Sequence, residues 1–389
     1  MSRPLSGVTI LELGQVIAGT YVGTILADMG AEVIHVEDPE NGDPIRRIGP
    51  PKGDDYIWWK VTMRNKRSVT LDLRQPVDRD RVARLAGWAD VVVSNLRAGT
   101  LEKWQLDFES LRALNPKLVM LHVTGYGLGT TKRDAPGYGK VGEARSGVVH
   151  LTGFPDGPPM HAGFSHADTV TGLMGAFAIQ CALYRKLTDP DFAGELIDLA
   201  VDETLFRLIE WQVPIYDQLG EVPERIGNGI SGAPSSVVNV FRSSDGRWIT
   251  ITSGTVKSIQ NIAALVGEPL DDYATPVLIT VHRPRLEARL GEWIARHTAA
   301  ECQSEMDRSG VVASPVLDVA DIVDDPVFAA RGNVVTVDDR DFGALRMPGV
   351  IPRLTNHPGR VWSQAPALGA DNDYVDGLLA RNAATTSPT

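Results

Sequence analysis

The feature that most constrains this chain is a series of short apolar runs, each followed by a helical stretch. Val8 to Leu13 reads as a buried strand, and a small-residue helix follows from about Gly19 to Met29. Glu32 to Glu37, Asp90 to Ser94 and Leu118 to Val123 read as further strands, and Ser68 to Leu73 is strand-like. Strands that alternate with helices are joined by crossovers, which gives a parallel sheet with helices on its faces. The expected fold class is therefore α/β, with a Rossmann-like layer in the N-terminal half.

Further along, Thr169 to Lys186 reads as a long apolar helix, and Gly194 to Arg207 as a short strand running into another helix. The pattern then breaks into a Gly/Pro/Ser-rich loop at about Pro223 to Ser236. A hairpin follows, Val237 to Phe241 and Trp248 to Ser253, with Asp245-Gly246 as its turn signal. Helices are expected at about Lys257 to Val266 and Arg283 to His297. Residues 226 to 330 thus read as a second, smaller α/β unit. The tail after Asn382 is expected to lack order.

At 389 residues, the chain can bury a large core without covalent staples. Its formal net charge of -11 argues against the broad basic stripe of a nucleic-acid binder. Two cysteines, Cys181 and Cys302, make no disulfide framework and no metal spacing. No secretory leader and no membrane-spanning run is read, so a cytoplasmic protein is expected.

The first strand and helix invite a dinucleotide-binding reading, but the glycine fingerprint that brings backbone to a pyrophosphate is missing after strand one. His161 and His166 are five apart on a loop and form no metal signature, and no serine-hydrolase elbow is present.

Asp168 is the candidate that stands out, because it lies at the start of the long apolar helix. As a helix N-cap it would accept backbone N–H bonds. As a functional group it would be kept ionised by the helix N-terminus, and an ionised carboxylate can attack a thioester. Gly172 and Gly175 would let another backbone or a ligand come close. A basic element, Arg64 to Arg67 and then Arg74, with Asn95, Arg97 and Lys103 after the next strand, reads either as a phosphate cradle or as a solvated face.

Several long stretches, in order, resemble the family III CoA-transferases: residues 4 to 43, 64 to 74, 89 to 104, 115 to 127, the Asp168 segment, 314 to 335, and 347 to 362. The helix after Asp168 and the run Pro358 to Trp362 are most similar to the carnitine-type members. The resemblance implies an interlocked, ring-like homodimer. It implies a large Rossmann-like domain over residues 1 to 225, a small domain over 226 to 330, and a C-terminal segment over 331 to 389 that returns to the large domain. The family nucleophile falls on Asp168. Positions that contact coenzyme A fall on Val16, Ala18, Leu71, Arg74, Asn95, Leu96, Lys103 and Tyr138. The partners implied are an acyl-CoA and a free carboxylic acid, with no metal and no tightly bound cofactor.

Ile17 departs from a polar substrate contact of the formyl-CoA enzyme, which argues against oxalate and formate. Asp38 replaces a basic contact at the nucleotide end. The loop bearing Gly227, Gly229 and Gly232 is a candidate to close over the site and donate backbone N–H groups to an oxyanion. Glu143 either faces the acceptor acid or is a surface charge. A sister group, the α-methylacyl-CoA racemases, pairs the aspartate with a histidine whose place here is taken by Tyr138. A tyrosine with an ordinary pKa of about 10 is a poor base near neutrality. CoA transfer through Asp168 is thus favoured over epimerisation, and a dehydrogenase or a non-catalytic CoA-binding protein are the remaining alternatives. Carnitine-like acids, branched dicarboxylates and steroid side-chain acids all stay open as substrates.

Overall fold

A computed structural model describes residues 3–385, which pack as two units. One comprises the chain up to Val148, His161–Glu210, and the chain from Pro326 on; the other comprises Val149–Met160 and Trp211–Asp325.

The first unit is built on six strands: β1 (Thr9–Glu12), β2 (Glu32–Glu37), β3 (Arg67–Thr70), β4 (Val91–Ser94), β5 (Val119–Thr124) and β6 (Glu195–Ala200). All are parallel, in the order β3-β2-β1-β4-β5-β6. That is the doubly wound order, whose reversal between β1 and β4 leaves a crevice beyond the strand ends. The central strands are apolar on both sides, as expected where helices cover both faces. Ile10, Val33, Val91, Val93, Val119 and Leu121 face one core, and their neighbours Leu11, Ile34, Val92 and Met120 face the other. Each such side chain contributes about 2 kcal/mol when fully buried.

Helices α1 (Thr20–Asp28), α2 (Pro76–Trp88), α3 (Ala98–Trp104), α4 (Gly139–Arg145), α5 (His166–Thr188) and α6 (Val201–Phe206) follow the strands. Helix α5 starts at His166 rather than Thr169, and Ser165 takes the N-cap place. Asp168 is therefore the third residue of the first turn and not the cap. Gly172 and Gly175 serve packing: a β-carbon on Gly172 would lie 2.8 Å from the Tyr21 ring, and one on Gly175 would lie 2.7 Å from Leu121. They let α5 lie against α1 and the sheet.

The second unit holds an antiparallel sheet of β7 (Val237–Arg242), β8 (Trp248–Ser253) and β9 (Ala313–Pro315), in the order β9-β8-β7. Gly246 takes the turn with φ +82°. Three helices pack on it: α7 (Val256–Val266), α8 (Pro276–Ile294) and α9 (Ala299–Ser309). Helix α8 begins earlier than the sequence pattern indicates. Thr275 caps it and Pro276 occupies its first turn, while Pro284 sits inside it. Proline more often marks a start than an interior, which hid the first two turns.

The C-terminal part adds a hairpin, β10 (Val334–Asp339) and β11 (Gly343–Pro348), and helix α10 (Asn372–Thr385), to the first unit. Helix α10 runs to Thr385, past the point where order was expected to end; the remainder of the tail lies outside the described residues. No helix among the described residues is long and apolar enough to cross a membrane.

Candidate active site

The crevice beyond β1, β4 and β5 is a cavity of about 640 Å³. Its wall includes the β1–α1 loop from Gln15 to Ala18, Asn95 to Arg97 after β4, Thr124 at the end of β5 and Gly125 after it, Gly137 and Tyr138 before α4, and Asp168. A smaller cavity of about 160 Å³ adjoins it, sharing Gln15 and Leu96, and is lined by Leu71 and Arg74. Of the residues expected to meet coenzyme A, Val16, Ala18, Asn95, Leu96 and Tyr138 share the larger cavity, while Leu71 and Arg74 line the smaller. Lys103 is exposed on α3 and lines neither.

Asp168 is half-buried, and none of the hydrogen bonds among the described residues ends on its carboxylate. Its place is set by contact with α4. A β-carbon at Gly139 would fall 2.5 Å from Oδ2 and 2.8 Å from Cγ. Gly125 and Gly137 also meet backbone to backbone in the cavity wall, where a β-carbon on Gly137 would lie 2.7 Å from the Gly125 Cα. Gly125 opens a glycine-rich run to Gly129 that does not follow the first strand of a dinucleotide unit, and Gly137 and Gly139 carry no site signal in the sequence. A glycine before a helix is too common a signal to single out alone.

The helix N-terminus was expected to keep Asp168 ionised. Instead, burial and the nearby Glu143 carboxylate, partly offset by Lys140, push its pKa up to about 6. A group with that pKa is still mostly ionised at pH 7, and it is more basic than an ordinary aspartate.

Glu143 is neither a surface charge nor a bare group in the cavity. It is 1 % exposed. Lys140 Nζ donates to it at 2.9 and 3.0 Å, and His161 Nδ1 lies 2.7 Å from its Oε2. Burial works against its charge, but Lys140 and His161 hold its pKa below the usual glutamate range. Lys140 also donates to the carbonyls of Ala162 and Phe164 at 2.6 and 3.0 Å. This cluster ties the loop ahead of α5 to α4.

The basic element is largely structural. Arg64 and Lys66 are buried and paired with Asp28 and Glu12, and Arg67 bonds Glu32 and Asp371. Arg74 is exposed and bound by Asp38 at 2.9 Å and Asp72 at 2.6 Å. Arg97 lines the larger cavity and has no ion pair among the described residues. Asn95 clamps the β1–α1 loop: its Oδ1 accepts from Gln15 N–H and its Nδ2 donates to Gln15 carbonyl, both at 2.8 Å.

Gly227, Gly229 and Gly232 lie in the second unit. The Gly227 N–H is donated to Gly153 carbonyl at 2.9 Å. Gly227 and Gly232 have φ of +73° and +88°, which only glycine adopts readily.

The family model of CoA-transferase family III matches residues 5–372. The chain belongs to that family. It is 38% identical to the succinyl-CoA–D-citramalate CoA-transferase of Chloroflexus aurantiacus, over 96% of this chain and 93% of that one. It is 34% identical to the succinate–glutarate CoA-transferase of Agrobacterium fabrum, over 99% and 98% of the two chains. A crystal structure of a CAIB/BAIF family protein from Brucella suis superposes with a TM-score of 0.84 at 32% identity, over 97% of this chain and all of that one. This transferase therefore acts on acyl-CoA thioesters and carboxylic acids.

Proposed function

We propose that Asp168 carries the acyl group and then coenzyme A between two acids. Its carboxylate oxygen attacks the donor thioester carbonyl, the C–S bond breaks, and an acyl-aspartyl anhydride and CoA thiolate form. The thiolate attacks the aspartyl carbonyl, releasing the donor acid and leaving an aspartyl-CoA thioester. The acceptor carboxylate attacks that thioester, giving a second anhydride and thiolate. The thiolate then attacks the acceptor acyl carbon, which releases the new acyl-CoA and restores the Asp168 carboxylate. No proton is gained or lost overall. Covalent catalysis divides one hard exchange into easier steps, and a cavity that retains the thiolate supplies effective concentration between them.

The observation that carries this reading is the Asp168 carboxylate itself: bound by no hydrogen bond among the described residues, basic for its type, and set in the wall of a large cavity. An aspartate that only capped its helix would have its oxygens engaged by the first-turn amides. Epimerisation finds less support, because no histidine among the described residues lines the cavity and the group at the partner position is Tyr138, 78% exposed.

The substrate pair proposed is succinyl-CoA and a second dicarboxylic acid, as in the names of the relatives. The apolar Ile17 wall suits a short carbon chain, and Arg97 in the same cavity suits an anionic end. A homodimer is proposed as well. Leu173, Phe177, Tyr184 and Leu187 are exposed along one side of α5, at spacings that place them on one face. Such a stripe is covered in a stable protein.

The test is intact-protein mass spectrometry after mixing with succinyl-CoA and quenching with hydroxylamine. A hydroxamate on Asp168, lost in Asp168→Ala, is expected. Transfer that proceeds with no adduct at any time would reject the covalent route.

A further inference from the structure

Beneath the cavity wall lies a row of charged side chains that the transfer steps do not use. Glu12 ends β1, His35 lies within β2, Asp43 follows β2 and Lys66 precedes β3, and all four are buried. Lys66 Nζ donates to Glu12 at 2.8 and 3.1 Å. His35 Nδ1 lies 2.7 Å from Glu12 Oε1, and its Nε2 lies 3.3 Å from Asp43 Oδ2. Asp43 in turn accepts the Val16 N–H on both oxygens at 3.1 Å, and the Ile45 N–H at 2.8 Å.

The last link matters because of how Val16 is held. Its φ is +62°, a left-handed backbone that a β-branched residue strongly disfavours. Such a conformation persists only where its surroundings enforce it. The anchor is Asp43 on one side and the Asn95 clamp on Gln15 on the other. The row is also sterically fitted: a β-carbon on Gly23 would fall 1.9 Å from Glu12 Oε2.

We propose that His35 is a positioning residue for the cavity: bridging Glu12 and Asp43, it holds Asp43 beneath Val16 and so fixes the lip from Gln15 to Ala18. The functional consequence rests on the proposed function, which places the thioester in the cavity lined by Val16 and Ala18. A neutral His35 would leave Asp43 buried with only the more distant Lys66 to offset its charge, and a buried charge that loses a close partner is unfavourable. Burial disfavours the charged ring, but Asp43 and Glu12 outweigh it and raise its pKa to about 9. The other charged groups facing this row are Glu37, itself bound by Arg46, and Lys66 behind Glu12. The ring is therefore charged below about pH 9, and the support it gives Asp43 weakens above it.

The experiment compares the full chain with His35→Gln and, in case that variant fails to fold, Asp43→Asn. Hydrogen exchange of the amides from Gly14 to Gly19 is measured without ligand, and KM and kcat with succinyl-CoA. Expected are faster exchange at Val16 and a KM raised about tenfold with kcat little changed. In the unmodified chain KM should rise above about pH 9, with a flatter profile in His35→Gln. Unchanged exchange at Val16 in both folded variants overturns the proposal, and so does faster exchange with unchanged KM. If the unmodified chain transfers no CoA from succinyl-CoA, the proposed donor fails, while the exchange data still decide whether His35 holds the lip.

Discussion

The Asp168 carboxylate lies against the Cα of Gly139, so closely that a β-carbon there would fall 2.5 Å from Oδ2. Gly139 begins α4 with ordinary helical backbone, so alanine is compatible with the chain's path at that position. Gly139→Ala should thus fold normally and displace the nucleophile. A shift of an ångström in a reacting group costs on the order of a hundredfold in rate. Steady-state kinetics should show kcat falling by about that factor with an unchanged melting curve. Full activity in the folded variant would mean that Asp168 does not work from this position.

Asp168 titrates at about 6 because it is buried and faces Glu143. Only the ionised form is a nucleophile, so kcat/KM should fall as pH drops through about 6. Removing the Glu143 charge removes one of the two raising effects. Glu143→Gln keeps an acceptor for Lys140 and should move this acid limb to lower pH by about half a unit or more. A pH–rate profile of both proteins checks it, and an unmoved limb would remove Glu143 from the electrostatics of Asp168.

The same shift has a consequence for stability. A carboxyl whose pKa is raised in the fold, from 3.8 to about 6, favours the folded state when protonated and opposes it when charged. The penalty appears as pH rises from about 4 through 6 and is fully present at pH 7. Asp168→Asn removes it, so the inactive variant should melt higher at pH 7, by about 2 °C, and the difference should vanish near pH 4. A lower melting temperature at pH 7 would show the carboxylate to be a structural cap.

These predictions turn on features that the sequence carried unequally. The parallel sheet was readable because Ile10 and Leu11, or Val92 and Val93, are adjacent apolar residues facing opposite cores, which only a two-sided sheet demands. Asp168 was readable from its place at the head of a long apolar helix. Gly139 was not, since its role is an empty volume that exists only once α4 and α5 pack. The basic run from Arg64 to Arg67 looked like a phosphate site or a solvated face; tertiary packing buried Arg64 and Lys66 against Asp28 and Glu12, which lie far away in sequence. The partners of a charge are a property of the fold, and local pattern does not report them.

At the nucleotide end, Arg74 is likewise engaged by carboxylates of the chain itself. Resemblance assigns it to a phosphate of coenzyme A, yet its guanidinium is held by Asp38 and Asp72. Both pairs are exposed, so each is weak and opens readily. A phosphate competes for the same donors and must displace at least one carboxylate, and the Asp38 charge also repels the incoming anion across the rim. Asp38→Ala removes the competitor and the repulsion together, and leaves Asp72 to orient the arginine. The KM for an acyl-CoA should then fall by about two- to fivefold, whereas Arg74→Ala should raise it by a similar factor. Both effects act through exposed charges and should shrink as salt rises from about 0.05 to 0.5 M. If Arg74→Ala leaves KM unchanged at low salt, the arginine only pins the Asp38 loop, and the phosphates lie nearer Arg97.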